Sequence, residues 1–344
     1  MIEKSSSQPA LIAVDWGSSN FRSFLLDQRG QILSEVSAAK GMLNLEIEQF
    51  ESTLLQQISP WINDQGKTEN SSNTKSRLPI LMAGMVGSAQ GWSDAGYISC
   101  PADAMQAAEQ LHKVTNQAQL NIHIVPGVKC QTSNLQPDVM RGEEVQAFGA
   151  VALLEQELGL LNNAQLEKLV FCLPGTHSKW IKMAKSDAGD AVIDDLSTHM
   201  TGEVYNLIVE HSILGKGLAN TNNEMAFDIA SFLQGVHTSQ REGGLLHHLF
   251  SARTLRLEQR LIESYVTSYI SGVLIGAELN AVLTSSPNLE HIYLIGGSQL
   301  NYLYSEALKE LGYLSTTVSS SKASAVGMLN IAKQAKLVTS KDNG

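Results

Sequence analysis

The stretch "IAVDWGSSNFRSFLLD", residues 12–27, sets an acid, a glycine and two serines between two apolar runs. The runs read as strands, so the pair predicts a hairpin with a tight turn over Gly17, Ser18, Ser19 and Asn20. Asp15 closes the first run, and a carboxylate there needs a partner because burying it unpaired is expensive. A phosphate-bound metal ion is one such partner. "QILSEVSA", residues 31–38, adds a third alternating run and makes the start an antiparallel meander.

The same shape returns 158 residues later. "KLVFCLPGTHSKWIKMA", residues 168–184, is again an apolar run, a glycine-hydroxyl turn and a second run, with Gly175 and Thr176 in the places of Gly17 and Ser18. A weak internal duplication explains both. A chain of 344 residues accommodates about two domains, and the second hairpin sets their boundary near residue 165, giving 1–165 and 166–344.

Composition narrows the function. Lys and Arg number 24 against 34 Asp and Glu, a net charge of -10. No extended basic face for nucleic acid or an anionic membrane is expected, so any anionic ligand is held locally. Cys100, Cys130 and Cys172 are odd in number and scattered, which favours a reducing compartment over a disulfide framework. The polar start and the lack of an apolar run near the roughly 18 residues of a membrane span predict a cytoplasmic protein. Neither CxxC nor HExxH occurs.

Between the hairpins, the pattern predicts a helix over 46–58 ending near Pro60 and a polar surface loop over 63–77. "LPILMAG" reads as a strand entering a turn with Gly84, Gly87 and Gly91. Helices are expected over 103–118 and from Gly142 to Gly159, with the strand "NIHIVPG" between them. The second half is mostly helical. It includes one long pattern over 257–283, whose Gly272 and Gly276 suggest close helix packing, and ends in the strand "HIYLIGG" and two helices.

No GxxxxGK[ST] or GxGxxG is present. Phosphate can still be cradled by backbone N–H groups in a tight turn with small hydroxyl residues, and both hairpin turns qualify. "AVDWGSSNFR" resembles the first phosphate hairpin of the sugar kinase, heat-shock ATPase and actin superfamily, "CLPGTHSKW" its second, and "IYLIGG" its adenosine-side loop. More narrowly, "AGMVGSAQGW", "DVMRGEEVQAFGA", "LPGTHSKW", "HMTGEVYNLIVEHSILG" and "LFSARTLRL", in that order, are similar to the 2-dehydro-3-deoxygalactonokinase family.

The resemblance implies an α/β protein of two ribonuclease-H-like domains, the actin-like ATPase fold, with an interdomain cleft. The first domain would carry the sugar-acid site and the second the adenosine site. It implies transfer of the γ-phosphoryl group of ATP to the 6-hydroxyl of 2-dehydro-3-deoxy-D-galactonate, with Mg2+ facing Asp15. The phosphates fall to Gly17, Ser18, Ser19 and Asn20 on one side and Gly175, Thr176, His177, Ser178 and Lys179 on the other; Lys179 reads equally as a solvated strand-edge charge. Gly296 and Gly297 would let adenine approach.

Kinases of the glycerol kinase type carry an acid ahead of a helix where this chain has Glu143 and Glu144, with Asp138 just upstream. Glu143 is the first choice for the general base and Asp138 the second; dipole-stabilising acids in a first helical turn are the other reading. A sugar acid calls for an arginine fork, from Arg141 or Arg22. Ser88, Gln90, Trp92 and Glu144 complete the expected acceptor site. The partner is then a small sugar acid, not nucleic acid or membrane, with room for a homo-oligomer. Two rivals share the hairpins: a nucleotide-gated assembly ATPase of the actin type and a phosphoanhydride phosphatase.

Overall fold

The structure is a computed structural model and describes residues 8–63, 78–131, 136–216, 227–286 and 288–338. The polar stretch 63–77 lies outside them from residue 64 on. The chain divides into two compact units, one of 1–167, 182–196 and 319–344, the other of 168–181 and 197–318. The simple cut near residue 165 therefore marks where the second unit begins, while two later segments return to the first.

In the first unit, β1 (Pro9–Trp16), β2 (Phe21–Asp27) and β3 (Ile32–Ala38) form the antiparallel meander. After α1 (Gln49–Asn63), β4 (Ile80–Ala83) pairs parallel with β1. Then come β5 (Tyr97–Ser99), α2 (Ala104–Glu109), β6 (His112–Lys113), β7 (Ile122–Ile124), β8 (Gly127–Gln131), β9 (Pro137–Met140) and α3 (Glu143–Leu158). The main sheet has the order β3-β2-β1-β4-β7-β6, and β5-β8-β9 form a small second sheet. Apolar residues alternate onto the α1 side of the main sheet, where Ile12, Val14, Phe21, Phe50 and Leu54 are fully or almost fully buried.

After α4 (Asn163–Leu166) come β10 (Val170–Leu173), β11 (Ser178–Lys185), β12 (Ala191–His199) and α5 (Thr201–His211); the parts of β11 and β12 within 182–196 count with the first unit and the rest with the second. Next come α6 (Ile229–Ser239), α7 (Gly244–Leu257), α8 (Val266–Ser285), β13 (His291–Leu294), α9 (Ser298–Glu310) and β14 (Leu314–Thr317). The sheet order β12-β11-β10-β13-β14 repeats the first unit's β3-β2-β1-β4-β7. This shared order is the ribonuclease-H-like arrangement, so the expected fold and duplication are both present. The last helix, α10 (Ser320–Gln334), belongs to the first unit and packs on α2 and α3.

Four local expectations are corrected. Helix α1 runs through Pro60 instead of stopping there. Proline cannot donate to the Gln56 carbonyl, and the Ser59 hydroxyl does so at 3.1 Å. Helix α2 stops at Glu109, because the Asn116 side chain folds the chain back by bonding the Leu120 N–H (2.8 Å) and carbonyl (2.9 Å) and β6 then pairs with β7. The long pattern over 257–283 is α-helical only from Val266, in α8: it starts on the last residue of α7, and the chain leaves the helix there, with Gln259 left-handed at φ 56°. Cys100 and Cys130 form a disulfide with Cα atoms 5.1 Å apart, and only Cys172 is a free thiol.

Helix α8 also departs from the expected lack of long apolar runs. With its lead-in, Glu263–Ser285 is the one helix among the described residues long and apolar enough to cross a membrane. Its apolar faces are taken up inside the unit. Gly272 and Gly276 bring it against the backbone of α6, where Gly235 faces it in turn. The expected close packing is thus met, and 78% of the apolar window is buried.

Candidate active site

The turn joining β1 and β2 is closed by the Gly17 N–H on the Asn20 carbonyl at 2.9 Å. Three successive carbonyls of this turn are held from behind: Gly17 accepts from Met42 (3.0 Å), Ser18 from Leu43 (3.2 Å) and Ser19 from Gly41 (3.0 Å). In a trans peptide the N–H points opposite to the carbonyl. Tying these carbonyls down therefore turns the N–H groups of Ser18, Ser19 and Asn20 outward, the arrangement that receives anions. Gly41 is needed because a Cβ there would run into the Ser18 carbonyl.

Asp15, at the end of β1, has its partner. Its Oδ2 receives the Arg22 Nη2 at 2.6 Å and the Ser324 hydroxyl of α10 at 3.3 Å, and Arg22 also reaches the Ser320 hydroxyl at 3.4 Å. Oδ1 has no protein partner among the described residues.

Strand β1 leads through β4 to the start of α3. Asp15 pairs with Ala83. The next residue, Gly84, lies at φ 97° with room for no Cβ beside the Trp16 carbonyl at 2.7 Å. A Cβ on Gly142, the N-cap of α3, would in turn lie 3.0 Å from the Gly84 Cα. These contacts put the N-terminus of α3, with its positive dipole end, over the carboxyl ends of β1 and β4.

Three charged residues converge there. Glu143 accepts the Arg141 N–H at 3.0 Å and is half-buried. Glu144 is wholly buried; its Oε2 accepts the Gly142 N–H at 2.6 Å and its Oε1 has no hydrogen-bond partner among the described residues. Burial, reinforced by the charge of Glu143, pushes the Glu144 carboxyl up to about 8. Arg141 is also buried, with Nη2 on the Gly96 carbonyl at 2.9 Å and 3.8 Å from Asp94 Oδ1, and the guanidinium 4.3 Å over the Tyr97 ring, while Nε and Nη1 have no hydrogen-bond partner among the described residues.

In the second unit, Gly175, Thr176 and His177 form the exposed tip of the β10–β11 hairpin. The start of α5 supports it. The Thr176 carbonyl accepts the Glu203 N–H at 3.0 Å, His177 Nε2 meets Glu203 Oε2 at 2.5 Å, and a Cβ on Gly202 would lie 2.5 Å from the Gly175 carbonyl. Gly296 lies beside Pro174, where a Cβ would sit 3.3 Å from the Pro174 carbonyl. Gly297, the N-cap of α9, has open space around it. Asn301 donates to the Gly296 carbonyl at 3.1 Å, and its buried Oδ1 is unpartnered.

Within the first unit the expected residues Asp15, Gly17–Asn20 and the α3 acids thus share the carboxyl edge of one sheet, where ligands of open α/β sheets bind. Arg22 is committed to Asp15. Asp138 sits on β9, with its Oδ1 on the Val139 N–H at 2.7 Å. Ser88 is buried with its hydroxyl 3.9 Å from the Met42 sulfur, Gln90 is exposed, and Trp92 stacks on Phe50 at the core edge. Within the second unit, Gly175–His177 and Gly296–Gly297 come to one edge. Ser178 and Lys179 are instead turned inward, Ser178 to Tyr304 at 2.9 Å and Lys179 to Thr198 at 2.7 Å. Sequence reasoning assigned no role to Gly41, Gly202, Glu203, Ser320 or Ser324; the signal that could have found Gly202 and Glu203 is their place in the family-like motif "HMTGEVYNLIVEHSILG".

Two ribonuclease-H-like domains, each with a braced glycine-hydroxyl turn at the carboxyl edge of its sheet, make up the actin-like ATPase fold, which kinases share with assembly ATPases and phosphatases; kinship singles out the kinase. The family model for 2-keto-3-deoxy-galactonokinase matches residues 15–331, and the chain belongs to that family. It is 32% identical over 317 residues to the "Probable 2-dehydro-3-deoxygalactonokinase" of Rhizobium meliloti (strain 1021), covering 92% of this chain and 94% of that one. It is likewise 32% identical over 321 residues to the 2-dehydro-3-deoxygalactonokinase of Escherichia coli (strain K12), covering 93% and 97%. A Sinorhizobium meliloti crystal structure named for the same kinase superposes with a TM-score of 0.78 at 30% identity, over 94% of this chain and 98% of that one. The protein is therefore an enzyme, a phosphotransferase with an alcohol group as acceptor.

Proposed function

We propose that the protein transfers the γ-phosphoryl group of ATP to the 6-hydroxyl of 2-dehydro-3-deoxy-D-galactonate, in the cytoplasmic breakdown of galactonate. The observation that carries the reading from this chain's own residues is the first turn, whose three carbonyls are bonded from behind so that successive N–H groups face outward. The full-length kinship to kinases disfavours both the assembly ATPase and the phosphatase.

Phosphoryl transfer asks the protein chiefly for positioning and charge neutralisation. The N–H groups of Ser18, Ser19 and Asn20 hold phosphate oxygens, as do those of the Gly175–His177 tip, and Gly297 leaves room for the adenosine. Asp15, whose Oδ1 has no protein partner among the described residues, would hold a magnesium ion through a water, and the ion would supply charge neutralisation for the transferred phosphoryl group. Arg22 fixes Asp15 in place. Glu143 takes the proton of the acceptor hydroxyl, with Asp138 as the other candidate. Arg141, with two donors unsatisfied, receives the substrate carboxylate, and Ser88, Gln90 and Trp92 flank the sugar.

The test is ADP release by the purified protein, with and without 2-dehydro-3-deoxy-D-galactonate and its gluconate-derived epimer. The expected result is acid-dependent ADP release and a product phosphorylated at C6. Failure of both acids to stimulate release rejects the substrate. For the base, Glu143→Gln is expected to lose about 10²- to 10⁴-fold in turnover while still binding ATP. Near-normal turnover moves the role to Asp138.

A further inference from the structure

The second unit contains a cavity of about 650 Å³, bounded by the end of β12, the start of α5, the α6–α7 junction and the middle of α8. Neither Gly175–His177 nor Gly296–Gly297 lines it, although Thr201 on its wall directly precedes Gly202, which packs on the Gly175 carbonyl. Its size is that of a small-molecule site. Its wall is mixed, with Val204 and Leu274 apolar, and Arg241 and Asn280 polar. The side chains of Arg241 and Asn280 make no hydrogen bond or ion pair with the described residues, so their donors are available to an occupant.

Two hydrogen-bonded links run from this wall to the residues just after the second turn. Thr198, on the wall, accepts from Lys179 Nζ at 2.7 Å. Thr201 and Glu278 are also on the wall, and the Thr201 hydroxyl donates to Glu278 Oε2. The Tyr304 hydroxyl donates to the same oxygen at 2.7 Å, and Trp180 Nε1 donates to Oε1 at 2.7 Å. Tyrosine has one hydroxyl proton, already given to Glu278, so at 2.9 Å Ser178 is the donor to Tyr304. Glu278 is thus a buried carboxylate with both oxygens taken, which leaves Arg241 and Asn280 to select the ligand.

We propose that this cavity binds a small organic carboxylate, its charge on Arg241 and its carbon chain on the apolar wall, and that occupancy adjusts the second turn through Thr198 and the Glu278 cluster. A carboxylate suits a planar guanidinium and an amide donor on the wall of one cavity, and the apolar wall suits a short carbon chain more than a bare inorganic anion.

The probes are pyruvate, 4-methyl-2-oxopentanoate and inorganic phosphate, titrated calorimetrically into the full chain. Saturable binding of a keto acid below about 10 mM is expected, weakened at least about tenfold by Arg241→Ala and by Asn280→Asp. Both positions are exposed, so neither variant threatens folding. The bound keto acid is also expected to shift the KM for ATP in the parent protein and not in the variants. Binding of phosphate alone, no saturable binding of either keto acid, binding that survives both substitutions, or binding with an unchanged KM for ATP each overturns the proposal.

Discussion

Gly41 lies so close to the Ser18 carbonyl that no side chain fits between them. The backbone of Gly41 is extended at φ -68°, an angle any residue adopts, so the requirement for glycine is one of space alone. Gly41→Ala is expected to push residues 41–43 off the turn and loosen the carbonyls that orient its N–H groups. Steady-state kinetics should show KM for ATP raised by about tenfold or more, with a smaller effect on KM for the sugar acid.

Gly202 stands in the same relation to Gly175 in the other unit. Gly202→Ala displaces the start of α5, which carries the Glu203 N–H and carboxylate that hold the turn. An increase in KM for ATP comparable to that of Gly41→Ala is expected. An unchanged value removes the second turn from the phosphate site.

Asp15 and Arg22 separate structural from catalytic loss. If Asp15 only neutralised Arg22, then Asp15→Asn and Arg22→Ala would cost alike. The expected outcome is a turnover loss of about 10²-fold or more for Asp15→Asn, partly relieved by raised magnesium, against a milder loss for Arg22→Ala. Magnesium titrations of kcat in the two variants make the comparison.

Glu144 makes stability depend on pH. Unfolded, its carboxyl ionises near 4.5; folded, burial holds the proton on until about 8. Between those values the folded state binds a proton that the unfolded state has released, so this group's stabilising contribution is intact below 4.5 and is lost as pH rises through 8. Glu144→Gln keeps an acceptor for the Gly142 N–H without the charge. Chemical denaturation at pH 5 and pH 8.5 is expected to show the variant gaining on the parent protein at the higher pH, by an amount on the order of a few kcal/mol.

Arg141→Lys keeps a positive charge but loses the planar guanidinium over Tyr97 and the geometry that reaches Gly96. KM for the sugar acid is expected to rise by about tenfold or more with KM for ATP nearly constant, measured by ADP release.

The meander and its repeat were readable because alternation, a tight turn and an acid at a strand end are local signals, whereas the parallel neighbours that complete each sheet came only with the family resemblance. The helix errors came from contacts no local pattern contains: Ser59 satisfying the carbonyl that Pro60 abandons, Asn116 fastening a loop, and Gln259 in a left-handed turn. In the candidate site, the residues on the turns could be named in advance, while those that hold the turns could not. Gly41 and Gly202 look like any other glycine until their neighbours are known. Ser324 is 309 residues from the carboxylate it bonds. Lys179 and Ser178 read as phosphate ligands by adjacency to Gly175, yet the hydroxyls of Thr198 and Tyr304 hold them inside.

Helix α10 supplies Ser324 to Asp15, and its backbone at Ala323 lies against Gly149 of α3. Translation delivers these pieces at opposite ends of the job. By the time residue 140 has been added the earlier lobe has all its strands, yet it waits through 168–318 without the helix that covers its flank, and the intervening lobe completes its own sheet only with β14. The lobe begun first is therefore finished last, and premature termination before residue 320 leaves it with an exposed helical face as a substrate for quality control.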